Sequence, residues 1–74
     1  MHDRERRLLE ESAGRTLSRR ELDVARLLEG GMSRPRIATR LGLTLHTVAS
    51  ISKSVYRKLG VSSRAQLAKR MRVV

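Results

Sequence analysis

Apolar residues recur along this chain at helical spacing, in blocks separated by glycine. Leu22, Val24, Ala25, Leu27 and Leu28 make a wide apolar stripe. Ser18-Arg19-Arg20-Glu21 precedes it, a pattern in which Ser18 and Glu21 satisfy each other's orphan amides at a helix start. Gly30-Gly31 ends the block, because glycine readily turns left-handed past a helix end. A second block, Ile37, Ala38 and Leu41, opens at Ser33 and stops at Gly42. Its Pro35 falls in the first turn, where a missing donor costs little. The third block opens at Thr44 and stops at Gly60, giving a helix over about 45–59. Val48, Ile51, Ser52, Val55 and Leu59 line one side of it, and His46, Ala49, Ser50, Lys53 and Arg57 the other. Ser63-Arg64-Ala65-Gln66 repeats the capping pattern and starts a last block, Leu67, Ala68 and Met71. The expectation is an all-α fold, a four-helix bundle over residues 16–74 behind a short charged N-terminal extension, residues 1–15. Within that extension a short helix around Arg4–Glu11 and a plain linker both fit.

The join between the second and third blocks carries the most information. Ile37-Ala38, Leu41-Gly42-Leu43-Thr44 and Val48 read as helix, tight glycine turn, helix. In a helix-turn-helix the first helix crosses the DNA backbone and the second enters the major groove. A bare helical hairpin is common, so the spacing needs support from charge.

The charge supplies it. The 74 residues carry 17 Lys and Arg against 7 Asp and Glu, a net +10. All the acids, Asp3, Glu5, Glu10, Glu11, Glu21, Asp23 and Glu29, lie at or before Glu29, where arginines balance them. From Gly30 onward there are cations and no acid, and a polyanion is the natural partner of such a half. Tyr56 is the only aromatic residue, which disfavours single-stranded nucleic acid, held by stacking on aromatic rings. No cysteine is present, and His46 has no acid near it in sequence, so no metal site or cofactor is expected. The acid-free half from Gly30 onward offers no carboxylate base, no phosphate-binding glycine loop or aligned nucleophile is present, and the expectation is a non-enzyme. No apolar run approaches membrane-spanning length, and the N-terminus begins with charges rather than an apolar signal segment.

Several separate motifs now agree in register. Leu17-Ser18-Arg19-Arg20-Glu21-Leu22-Asp23-Val24, Leu28-Glu29-Gly30-Gly31-Met32-Ser33, Ile37-Ala38, Leu41, Thr47-Val48 and Lys58-Leu59-Gly60-Val61 together resemble the LuxR-type (NarL or GerE type) DNA-binding domain of bacterial transcription regulators. The resemblance runs from about Thr16 to Met71 without a gap. It implies a four-helix domain that binds promoter DNA, often as a dimer through its last helix. It also implies a bacterial cytoplasmic protein brought to the nucleoid by DNA, either a response-regulator effector domain or a small stand-alone regulator. Three positions depart from the pattern. Ala49 stands where the family commonly has lysine, Ile51 where it has histidine, and Arg36 where it has an acid.

Site expectations follow for double-stranded DNA as partner. Lys53 is the expected base reader, since lysine donates to guanine, with Ser50 at a base edge and Ala49 against a thymine methyl. Phosphates are expected at Arg34, Arg36 and Arg40, at Thr44, His46 and Thr47 where helix amides favour anions, and at Arg57 and Arg64. The competing account of these cations is a solvated face. Leu67, Ala68 and Met71 either complete a core or pair weakly across a twofold axis in a homodimer. Two other functions compete. One is a protein-interaction module docking on RNA polymerase or a partner regulator, favoured by the missing lysine at 49. The other is a basic membrane-surface domain, disfavoured because the cations do not border one apolar stripe with anchoring aromatics.

Overall fold

A computed structural model describes residues 17–73, with side chains to residue 72. The extension over 1–15, its suggested helix and the exact ends of the domain lie outside the described residues. Four helices follow in order: α1 (Arg19–Glu29), α2 (Arg34–Leu41), α3 (Leu45–Leu59) and α4 (Arg64–Val73). The described residues contain no strand, so the all-α expectation holds.

Each helix starts on a side-chain cap at the expected residue. Ser18 Oγ accepts from the Glu21 amide at 3.2 Å while the Ser18 amide donates to Glu21 Oε1 at 2.8 Å, a complete capping box. Ser33 Oγ accepts from the Arg36 amide at 3.4 Å, and Thr44 Oγ1 from the Thr47 amide at 3.1 Å. At α4 the expected box is only half made. Ser63 Oγ accepts from the Gln66 amide at 3.1 Å, but Gln66 Oε1 takes the amide and hydroxyl of Ser62, at 2.8 and 3.0 Å.

The first three helices end alike. Past α2, the Leu43 amide donates to Ala38 O at 2.9 Å and the Gly42 amide to Thr39 O at 3.4 Å, with Gly42 at φ +68°. Such a turn needs a left-handed residue, and a side chain there costs about 1 kcal/mol. The same pair of bonds closes α1 at Gly31 and α3 at Gly60.

The core is aliphatic. Leu17, Val24, Ala25 and Leu28 meet Ile37, Ala38, Val48, Val55, Leu59 and Leu67, all buried. Helix α1 packs against both α3 and α4, while α2 leans on α3. Ser52 sits among the apolar residues of α3, its hydroxyl donating to Val48 O at 2.8 Å. With that bond made, a polar group is carried inside without a desolvation debt.

One polar contact crosses this core. Glu21, 8% exposed, receives Lys58 Nζ at 2.8 Å on Oε1 and the Ser54 hydroxyl at 2.6 Å on Oε2. A single carboxylate thereby caps α1 and clamps α3. The Lys58 ammonium first, then Ser54 and the Ser18 amide, hold the Glu21 carboxyl down from 4.5 to about 2, against a smaller opposing effect of burial. That lowering corresponds to roughly 3 kcal/mol of preference for the folded carboxylate.

Because the folded value is depressed, the stabilisation is complete above about pH 5. It is lost as the pH falls from 4.5 toward 2, where the unfolded chain takes up a proton that the folded one refuses. Glu21→Gln should cost roughly 1–3 kcal/mol at pH 7. Urea titrations across pH should show the gap between wild type and variant closing toward pH 2. A gap that stays constant over that window rules out the ionised clamp.

Candidate nucleic-acid interface

The turn Gly42-Leu43 sets α3 against α2, and the apolar face of α3 fixes which side it shows. Val48, Ser52, Val55 and Leu59 are buried, and Ile51 packs partly against the core. The opposite side, His46, Ala49, Ser50, Lys53 and Arg57, is exposed, as the spacing predicts. Thr47 is half-buried, and Thr44 is engaged twice. Its oxygen accepts the Thr47 amide, and its hydroxyl donates to Thr47 Oγ1 at 2.9 Å. Thr44 is thus a cap first, with the open amides of the first turn beside it.

Arg34, Arg36 and Arg40 are exposed on α2. Met32, Pro35, Arg36, Thr39 and Arg40 line a shallow concavity there, and Thr39 turns its hydroxyl back onto Pro35 O at 3.2 Å. Arg64, half-buried at the start of α4, stands apart on another helix. The described acids are all occupied on α1. Glu21 holds Lys58, Asp23 lies 3.9 Å from Arg20, and Glu29 lies 3.7 Å from Arg72. Among the described residues no acid comes within ion-pair distance of Arg34, Arg36, Arg40, Lys53 or Arg57. The α2–α3 pair therefore offers a positive surface with no internal counter-charge.

Two sets of residues escaped the sequence. Ser54 and Lys58 hold a flank of α3 to Glu21, 33 and 37 positions away in the chain, and no periodicity announces such a contact. Leu45, at the first position of α3, is 52% exposed and is the one exposed large apolar residue among those described. The three residues expected either to complete a core or to pair two copies are unequally exposed. Leu67 has no exposed surface and Ala68 only 8%, because α1 draws both into the monomer's core. Of the three residues only Met71 keeps appreciable surface, and exposed Lys69, Arg70 and Arg72 flank it.

Among the described residues no group of three or more His, Cys, Asp and Glu side chains gathers as a metal site would require. No described helix is long and apolar enough to cross a membrane.

Capped helices α2 and α3, joined by the left-handed Gly42 and carrying a basic outer face, form a helix-turn-helix. The family model described as bacterial regulatory proteins, luxR family, matches residues 15–71, and the chain belongs to that family of DNA-binding transcription regulators. No curated protein and no solved structure matches the chain significantly.

Arg36 occupies the third position of α2, where an acid would complete a capping box with Ser33. Arg36→Glu should add roughly 0.5–1 kcal/mol of stability. That raises the unfolding midpoint by roughly 2–8 °C for a domain of this size. Duplex binding should weaken in the same variant. Calorimetry showing no rise, or a fall, refutes the half-made cap.

Proposed function

We propose that the protein binds specific duplex sites as a transcription regulator, with α3 in the major groove and α2 lying across the backbone. The observation that carries this is the segregation of charge. The outward sides of α2 and α3 bear five exposed cations, and every described acid is paired elsewhere. A solvated surface normally mixes both signs.

Backbone contacts then dominate affinity. Arg34, Arg36, Arg40 and Arg57 meet phosphates, joined by the first-turn groups Thr44, His46 and Thr47. Base reading rests on few groups. Lys53 is the long donor, suited to guanine O6 and N7, while Ser50 and Ala49 let the backbone come close. Arg64 is a peripheral phosphate contact. Pairing of two copies through α4 is weak in the free protein. Leu67 and Ala68 have little area to lend, and the cations around Met71 repel until phosphates screen them.

Log affinity should fall steeply with log salt, at about 0.9 units of slope per phosphate neutralised. Arg36→Ala and Arg40→Ala should weaken a selected and a scrambled duplex alike. Lys53→Ala should cost on the order of 1–3 kcal/mol on the selected one only. Titrations at several salt concentrations decide between outcomes. A nearly salt-independent affinity removes the DNA assignment, and equal losses on both duplexes remove Lys53 as a base reader.

Sedimentation of the free chain should show a monomer in weak exchange with a dimer. A tight dimer that persists in Met71→Glu contradicts the pairing described above.

A further inference from the structure

A lone exposed leucine is ordinary on a protein surface. Leu45 is set apart by its register. It stands one turn before Ala49 and two before Lys53, and residues four apart on a helix are neighbours. The row Leu45-Ala49-Lys53 thus runs along α3 from an apolar N-terminal end to a cationic middle. Leu45 is 52% exposed, although Val48, one turn on, is buried and Ile51, nearly two turns on, is half-buried.

Resting on the duplex-binding proposal above, we infer that Leu45 is a specificity-determining residue that packs against the C5 methyl of a thymine. The N-terminal residues of a recognition helix are the ones that reach base edges. The major groove presents one apolar group, the thymine methyl. Leucine has no donor or acceptor, so a base that turned a polar edge toward it would lose water and gain nothing. Cytosine, adenine and guanine at that step are disfavoured on this account, and thymine is accepted. Geometry limits where the thymine lies. Eight residues at 1.5 Å separate Leu45 from Lys53 by ~12 Å. That is at most ~4 base pairs from a guanine read by Lys53, at 3.4 Å per step.

The test uses the full chain and a duplex selected from random sequence, in which each thymine in turn is replaced by deoxyuridine. This removes one methyl and keeps every hydrogen bond. Wild type should lose about fourfold in affinity at one or two positions, the worth of one buried methylene-sized group. These positions should lie within the stated reach of the base pair whose identity ceases to matter in Lys53→Ala. Leu45→Ala should bind the thymine duplex about as weakly as wild type binds the uracil one, and should not distinguish the two. Because Leu45 is exposed and alanine is the stronger helix former, this variant should keep its unfolding midpoint. Indifference of wild type to every replacement overturns the inference while leaving duplex binding intact. So does a thymine preference that survives in Leu45→Ala, which would assign the methyl contact to Ala49. If no duplex is enriched at all, the DNA-binding proposal fails at the selection step, before any thymine is replaced, and the inference falls with it.

Discussion

The Glu21 carboxylate ties the first helix to the third, and the placement of α3 depends on that tie. Helix α3 must leave one long side bare, so it is held from the other by Val48, Ser52, Val55 and Leu59. Packing of small aliphatic groups is non-directional and tolerates a few degrees of rotation. Two hydrogen bonds from Ser54 and Lys58 to one buried carboxylate do not, since such bonds weaken steeply off axis. The donors sit one turn apart on α3, so the clamp fixes rotation as well as position. The same oxygen that takes Lys58 also takes the Ser18 amide, which couples the start of α1 to the C-terminal half of α3. The fully buried core residues are aliphatic apart from Ser52, with Tyr56 packed at their edge, so this directional contact adds what their packing lacks.

The same economy shapes the charge. A surface meant for phosphate gains from lacking acids, yet helices gain stability from acids in their first turns. In α1, away from the motif, Glu21 supplies the acid and the box is complete. In α2 and α3 the first turns contain none, and Arg36 replaces what would have been the second half of a cap. Local stability is lower at the starts of α2 and α3, where the proposed DNA-facing surface lies, and kept where the core is assembled. The three left-handed glycine ends compensate in part, because they satisfy late carbonyls without adding charge.

The helices were legible because their ends are written in local chemistry. Ser18, Ser33 and Thr44 cap within three residues, and Gly42 and Gly60 terminate within two, so a short window of sequence contains the whole signal. The exposed side of α3 was legible for a related reason, since one buried face at helical spacing determines the other. What could not be read is whatever depends on a distant partner. Glu21 looked fully employed by Ser18, and its bonds to Ser54 and Lys58 need the fold to exist first. Leu67 and Ala68 show the limit differently. A row of apolar residues has the same period whether a neighbouring helix or a second molecule covers it, and only the approach of α1 decides. At Gln66 the residue pattern was right and the donor one position off, because Gln66 Oε1 takes both the amide and the hydroxyl of Ser62 in place of the Ser63 amide.

Along α3 the chemistry changes in a way that separates two tasks. The first half shows Leu45, Ala49 and Ser50, short or apolar groups that permit close approach. The second half shows Lys53 and Arg57, long cations that reach outward. On the proposed docking, a helix inserted by its N-terminal end brings Leu45, Ala49 and Ser50 near the base edges, lets the long Lys53 reach them from one turn on, and leaves Arg57 near a strand. On that docking, close approach by small residues would make the helix backbone a probe of groove width and flexibility alongside the Lys53 contact. The clamp then gains its meaning, because a shape probe discriminates only if its own orientation is fixed. A protein that reads with long flexible donors can tolerate a loosely held helix. One that reads with Ala49 and Ser50, as proposed, cannot, and the three hydrogen bonds of the Glu21 carboxylate hold α3 from its flank, beside the exposed surface.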